Sequence, residues 1–358
     1  YWYHPHVAEV YTQPLGLYGA YIVEPTDAGY YPPVDREEIL FLSDLPVEDG
    51  RIAIDKGGKD HSLMGHFGNV MLVNGQDDYA LTAKKGEVVR LYIINAANTR
   101  PFNIRLLGVK FKLIGGDSGA YERATWQDSV LLAPSERVII DVMFASDTTV
   151  VNETPAGTTV LGSVSVNGEA QSAHALQFNN LQTNAATIAS IDPFRSYFTK
   201  APDKTLALTI DMMGGMPTRQ SLGDGGMSGG HAMPDGSTMG APEDGIEWED
   251  TNPMMNPVRG REGSQRAPTS NGMNAMSSAA MVKWHIVDQD TGKRDMDIDW
   301  NFKKGEPVKI RIFNDPKSAH PMQHPIHFHG QRFSVVARAV VQQTNLLWKD
   351  TVLVKAGE

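Results

Sequence analysis

The 358-residue sequence contains no cysteine. This excludes disulfides, zinc fingers, iron–sulfur clusters and thiol catalysis within it. It has no run of about 18 apolar residues, so no transmembrane helix is predicted. Acidic residues outnumber basic ones, and the net charge of −10 argues against nucleic acid as the main partner. Sustained helical periodicity is hard to find. Because cysteine is absent, any catalytic or metal-binding chemistry in this chain must use other residue types.

The sequence is rich in short β-prone runs, separated by Gly, Pro, Asn and Asp. Several of them alternate apolar and polar residues, as half-buried strands do. The runs include Glu38–Leu42, Asn69–Val73, Val88–Ile94, Phe102–Leu107, Val109–Ile114, Ser129–Leu132, Arg137–Val142, Thr159–Val166, Thr205–Ile210, Val308–Phe313 and Phe333–Val336. Repeated strands at this spacing predict an all-β protein built from sandwiches or barrels.

Composition divides the chain into three parts. We expect residues 1–30 to be the closing strands of one domain, 31–185 to be a complete domain, and 200–358 to be a third. The third is interrupted by residues 211–281, which contain 11 of the 16 methionines beside many Gly, Ser, Pro and Asn. Such a composition buries too little apolar surface to pack as a core, so it predicts a long insertion.

The 11 histidines are clustered rather than spread evenly. In His4-Pro5-His6 the two histidines are two residues apart, so in a strand both imidazoles project from one face, as shared metal ligands should. By itself this pair is weak evidence, and surface or packed histidines are the plainer interpretation.

A denser cluster is His324-Pro-Ile-His327-Phe-His329-Gly330. His327 and His329 would share one strand face and His324 the other, which predicts two metal centres. Three histidines in an apolar strand are costly to bury unless their nitrogens are satisfied. Imidazole suits copper, zinc, iron and nickel alike, so these residues alone do not choose the metal.

These clusters and their surroundings resemble the multicopper oxidase family, both laccase-like and cuprous-oxidase-like members. The second and third copper motifs of that family are similar to residues 2–6 and 324–330 here. Its middle domain is similar to Val73-Asn74-Gly75, residues 113–119 and residues 129–137, and Trp348–Val352 resembles the strand after the third motif. The resemblance covers the chain apart from the methionine-rich insertion.

The resemblance implies three cupredoxin-like Greek-key domains and copper of types 1, 2 and 3. It implies that His4 and His6 bind type 3 copper, His327 type 2, His329 type 3 and His324 type 1. It also implies an oxidase that couples one-electron oxidation of a donor, either Cu(I) or a phenolic compound, to reduction of dioxygen to water. The implied location is periplasmic or extracellular.

Two features of the family pattern are missing: the first His-x-His-Gly motif and the terminal His-Cys-His motif. The chain begins and ends in strand-like runs, so we expect it to be a piece of a longer protein whose other segments supply those motifs. The alternatives are a non-catalytic cupredoxin scaffold and a protein that binds or stores copper.

Thioether sulfur prefers Cu(I), which makes the methionine-rich segment a candidate for copper handling. Its densest cluster contains Met212, Met213 and Met216. Cuprous oxidases, which the segment resembles, place a methionine two residues before the type 1 histidine, where Met322 stands here. His320 replaces an acidic residue of that branch. These five residues are the candidate substrate-copper site. The plainer interpretation of the segment is a flexible linker or lid.

Overall fold

The computed structural model describes residues 1–54, 63–168, 172–212, 242–249 and 280–358, together with the backbone of two short strands, Gly230–Ala232 and Thr238–Gly240. The predicted sites at Met213 and Met216 lie outside the described residues. The described part is dominated by β-strands, which confirms the all-β prediction.

The middle of the chain forms two sheets. Neighbouring strands of the six-stranded sheet are, in order, Gly119–Gln127, Phe111–Gly116, Arg137–Phe144, Glu87–Asn95, Arg36–Leu45 and Val70–Val73. Those of the five-stranded sheet are Ser129–Leu132, Phe102–Leu106, Thr148–Thr154, Gly157–Asn167 and Tyr79–Lys84. One pair in each sheet is parallel and the rest are antiparallel. We call this unit the middle sandwich.

The core of the middle sandwich lies between its sheets. Tyr79–Lys84 alternates strictly between buried and exposed residues, because only one face of that edge strand meets the core. Glu87–Asn95 is buried along almost its whole length, since it is central in its sheet. Apolar side chains of both sheets, including Leu91, Phe102 and Ile140, form one cluster.

The last part of the chain contains smaller sheets. Lys204–Met212 pairs with Val282–Asp288 and Ile310–Asn314, and His324–His327 pairs with Thr351–Val354. Two-stranded ladders join Trp2–Tyr3 with Gly19–Ala20, Val47–Glu48 with Arg51–Ile52, Gly230–Ala232 with Thr238–Gly240, and Ala337–Arg338 with Val341–Gln342. Helical segments are Glu9–Thr12, Ala175–Phe178, Ala185–Ile191, Asp192–Tyr197 and Asp295–Asp297.

Residues 344–350 dock this last part against the middle sandwich. The backbone N–H groups of Ser118 and Glu122 donate to the carbonyls of Trp348 and Leu346, at 3.2 and 2.9 Å. The Asn345 side chain bonds the Arg123 backbone in both directions, at 3.0 and 2.8 Å. This contact places residues that follow the third histidine motif directly beside the sandwich.

Two expectations need correction. Phe333–Val336 is not a strand, because Phe333 makes only an isolated bridge to Lys349. Within the methionine-rich insertion, residues 242–249 are packed against the protein: Ile246 is buried with Ala133 and Leu353, and Arg100 Nη1 donates to the Trp248 carbonyl at 2.9 Å. The insertion as a whole connects two adjacent antiparallel strands, since Met212 is the register partner of Val282.

Candidate metal centres

The first histidine pair follows a two-residue strand rather than lying within one. Trp2–Tyr3 ends before His4, yet the His4 and His6 rings lie 4.9 Å apart between centroids. Trp2 stacks on His4 at 4.4 Å. His4 Nδ1 lies 3.2 Å from the Pro5 carbonyl, which can only accept, so Nδ1 carries the proton and Nε2 keeps its lone pair. Burial lowers the pKa of His4, which favours this neutral, metal-binding form.

The second pair is placed by the strand His324–His327. This strand pairs with Thr351–Val354 so that His327 is opposite Thr351. His327 Nδ1 lies 2.9 Å from the Asp350 carbonyl and 3.1 Å from Thr351 Oγ1. The carbonyl again requires a proton on Nδ1 and leaves the lone pair on Nε2. His329 lies just beyond the strand, with its ring 4.7 Å from that of His327.

The fold brings the two pairs together although they are more than 300 residues apart in the chain. The ring of His6 lies 5.2 Å from that of His329, so four imidazoles form one continuous group: His4, His6, His329 and His327. We call it the four-histidine group. Within the described ranges, no three histidine, aspartate or glutamate side chains converge on a single ion.

His324 lies apart from the four-histidine group. Its ring meets that of Trp284 edge-on at 4.8 Å. Its Nε2 atom is buried and has no hydrogen-bond partner in the described part of the chain. Burial lowers the pKa of His324 to about 4, so the imidazole is neutral at neutral pH. A buried ring nitrogen without a partner is costly, and coordination by that nitrogen would remove the cost, so the site fits a metal ion.

Among the candidate substrate-copper residues, His320 contacts a sulfur atom that could bind copper with it. It is buried, and its Nε2 lies 3.0 Å from the Sδ atom of the equally buried Met64. Met64 belongs to a buried apolar cluster, against which Met212, Met281 and Trp284 pack. Met322 is buried, and its backbone carbonyl accepts from Asn314 Nδ2 at 2.6 Å. The structure thus joins His320 to Met64, a methionine outside the methionine-rich segment.

Comparison with known proteins identifies the family. Models described as multicopper oxidase match residues 51–152 and 265–358, together more than half of the chain. The chain belongs to the multicopper oxidase family. It is 33% identical over 153 residues to the multicopper oxidase mco of Staphylococcus haemolyticus, covering 39% of this chain and 32% of that protein. It is 33% identical over 159 residues to the laccase of Bacillus subtilis, covering 39% of this chain and 30% of the laccase.

The fold agrees with this membership. The multicopper oxidase from Campylobacter jejuni, described as a metallo-oxidase, superposes with a TM-score of 0.60 at 20% identity, covering 100% of this chain and 64% of that one. This similarity confirms the cupredoxin-like fold predicted for the chain. The segment matched spans about a third of the length of the two curated relatives. Family membership implies copper cofactors.

No helix in the described ranges is both long and apolar enough to cross a membrane. Four residues that contact the candidate ligands are not marked as such by the sequence: Met64, Trp284 and the His327 partners Asp350 and Thr351. Asp350 belongs to the segment Trp348–Val352, which resembles the family strand, so from the sequence it is interpreted as strand framework. Nothing in the local sequence marks Met64, because its partner His320 lies 256 residues away.

Proposed function

We propose that this multicopper oxidase chain is part of a copper-dependent oxidase that couples one-electron oxidation of a donor to reduction of dioxygen to water. The observation that carries the proposal is the four-histidine group. Two pairs of imidazoles from opposite ends of the chain meet with ring separations of 4.9, 5.2 and 4.7 Å. Core packing does not explain why the rings gather, because His6, His327 and His329 are exposed and imidazoles repel one another when charged.

The proposed ligand roles follow the family pattern. His4, His6 and His329 would hold type 3 copper, His327 type 2 copper, and His324 type 1 copper. The structure supports this division because His324 is separate from the other four and contacts Trp284 instead. Bound copper would supply the one-electron redox chemistry that links the donor to dioxygen. The protein's own part is to hold His4 and His327 with Nε2 unprotonated, through their Nδ1–H bonds to carbonyls.

For the donor, we favour Cu(I) over phenolic compounds. His320 and Met64 form a buried nitrogen–sulfur pair, and thioether with imidazole is a ligand set suited to Cu(I). Trp284 is a neighbour of both histidines, with its ring 6.3 Å from that of His320 and 4.8 Å from that of His324. A cuprous ion held by His320 and Met64 would thus share this tryptophan with the proposed type 1 site. The further candidates are Met322, two residues after His320, and Met212, which packs in the cluster of Met64.

The proposal is tested by oxygen uptake of the copper-loaded protein expressed from its complete reading frame. His327→Ala should reduce uptake to the level of the copper-free protein. His285→Ala is the matched control and should keep activity, because the contacts of the His285 ring are with two carboxylates, Asp295 at 2.7 Å and Asp211 at 3.3 Å, rather than with a candidate ligand. Copper binding without oxygen uptake in the wild type would instead establish the copper-binding or storage alternative.

The donor is tested by Met64→Leu, which removes the sulfur and keeps an apolar side chain of similar volume. We expect a several-fold higher KM for Cu(I) and an unchanged kcat/KM for a phenolic donor. Met71→Leu is the control, since the Met71 sulfur accepts a weak bond from Asn152 inside the middle sandwich. Equal effects on both donors, or none, would argue against this site.

We also propose a periplasmic or extracellular location, as for the family pattern that the sequence resembles. Fractionation of cells that produce the native protein would show it in the cytoplasm if this is wrong.

A further inference from the structure

A buried ion pair connects the middle sandwich to the partners of His327. Arg137 begins the strand Arg137–Phe144, and its Nη1 and Nη2 atoms donate to the two carboxylate oxygens of Asp350, each at 2.6 Å. Both side chains are buried. The geometry is bidentate, the arrangement that gives the strongest and most directional charge-assisted hydrogen bonds.

Arg137 is itself fixed from the sandwich side. Its Nη2 donates to the Asp117 carbonyl at 3.0 Å, and its Nη1 to the Ser135 carbonyl at 2.9 Å. Its backbone N–H donates to Asp117 Oδ1 at 2.8 Å. The neighbouring Lys349 ammonium lies 2.9 Å from Asp117 and 3.2 Å from Glu136. The guanidinium therefore has a single well-defined position from which to hold Asp350.

Asp350 in turn organises both partners of His327. Its carbonyl is the 2.9 Å acceptor for Nδ1–H. Its carboxylate accepts the hydroxyl proton of Thr351 at 2.9 Å, which turns the lone pairs of that oxygen toward Nδ1, 3.1 Å away. Both acceptors thus require the proton on Nδ1 and aim Nε2 away from the strand Thr351–Val354.

Stability alone is a weak reason for such a pair. Burying two charges costs several kcal/mol of desolvation, and a well-packed apolar pair of the same volume is often as stable or more so. A bidentate pair does, however, fix orientation, which apolar packing does less well. The hydrogen-bond partners of metal-binding histidines set ring orientation and tautomer in this way.

We infer that Arg137 and Asp350 are positioning residues for the ligand His327, so that the middle sandwich sets the geometry of a metal centre that it does not line. This inference rests on the proposed function, in which His327 is a copper ligand. Loss of the Arg137–Asp350 pair should therefore change the tautomer and orientation of the His327 ring, whether or not it also changes the stability of the protein.

Three variants weaken the arrangement in different ways. Arg137→Lys keeps the positive charge but loses the bidentate geometry of the guanidinium. Asp350→Asn removes the carboxylate charge, and Thr351→Val removes only a hydroxyl. The matched controls are Arg90→Lys and Asp141→Asn. Arg90 and Asp141 form a similar buried pair in the same sheet, at 2.9 and 3.1 Å, but contact no candidate ligand.

The first readout is independent of copper and of activity. The ¹⁵N shifts of the His327 ring, measured on the metal-free protein with labelled histidine, should report the Nδ1–H tautomer in the wild type and both controls. In Arg137→Lys and Asp350→Asn, which leave the Asp350 backbone carbonyl less firmly held, we expect a mixture of tautomers. Thr351→Val keeps that carbonyl as the Nδ1–H acceptor and should keep the wild-type tautomer. If Arg137→Lys and Asp350→Asn both keep the wild-type ring shifts, the inference is overturned, whatever their stability.

The second readout is copper affinity of the complete protein, with the electron paramagnetic resonance spectrum of the bound copper. We expect about a 10–100-fold loss of affinity and an altered spectrum in the test variants, as for other partners of metal-binding histidines, and under about twofold loss in the controls. Losses equal to those of the controls would overturn the inference. If the wild type binds no copper, the proposed function fails, and the ring shifts still decide the positioning role.

Discussion

At the scale of single residues, His324 shows how a binding site differs from a packed interior. A buried nitrogen without a hydrogen-bond partner costs about 1–3 kcal/mol, and His324 Nε2 is such an atom among the described residues. The metal-free protein therefore carries this cost, which coordination would remove. Stability without metal and capacity to bind metal should then change in opposite directions.

His324→Leu should raise the free energy of unfolding of the metal-free protein by about 1–2 kcal/mol, because it removes the unpartnered nitrogen and keeps apolar volume. Urea unfolding in the presence of a chelator measures this. The control is His285→Leu. Nδ1 of His285 lies 2.7 Å from the Asp295 carboxylate, so this substitution removes a satisfied ring and no gain in the free energy of unfolding is expected. A less stable His324→Leu protein would contradict the argument.

Residue types and spacing indicate the candidate ligands, but not their partners. His4 with His6, and His327 with His329, stand out because each pair is local in sequence. Met64 does not, because nothing near it distinguishes it from a core methionine. Arg137 and Asp350 are 213 residues apart, so only the fold reveals that they form a pair.

At the scale of elements, strands were predictable where large apolar residues alternate with polar ones. Gly119–Gln127 escaped prediction because its inward residues are Ala120, Glu122 and Ala124, two small side chains and a charged one. Buried Glu122 is tolerated because its Oε2 accepts from the Leu346 N–H at 3.1 Å, and Arg195 pairs with it. The helix Ala185–Ile191 escaped for a similar reason, since it buries only Thr187 and Ile191.

Gly162→Ala tests the packing of the five-stranded sheet. A Cβ atom there would lie 2.4 Å from the Tyr79 carbonyl oxygen, and both belong to paired strand backbones that cannot rotate away. We expect a loss of about 1–3 kcal/mol in the free energy of unfolding, as for other overpacked sites. The control Gly29→Ala would meet only Asp27 Oδ1, at 3.4 Å, and should change stability little. Equal effects in urea unfolding would refute the packing argument.

At the scale of the whole molecule, the central feature is that distant parts of the chain meet. Gln13 Nε2 donates to the Ala96 carbonyl at 2.8 Å, which ties the first residues to the middle sandwich. Residues 344–350 are docked on the same sandwich. The sandwich therefore holds both histidine pairs in place, although it contributes none of the four rings. Motif spacing predicted each pair, whereas their meeting depends on this docking.

The most direct test of this account is a double-mutant cycle of copper affinity with His6→Ala and His329→Ala in the complete protein. Their rings lie 5.2 Å apart, so we predict a coupling free energy of about 0.5–3 kcal/mol, as for residues that share a partner. The control cycle of His6 with His324 should be additive within about 0.5 kcal/mol. Additive losses for His6 and His329 would show that the two histidine pairs do not form one metal centre.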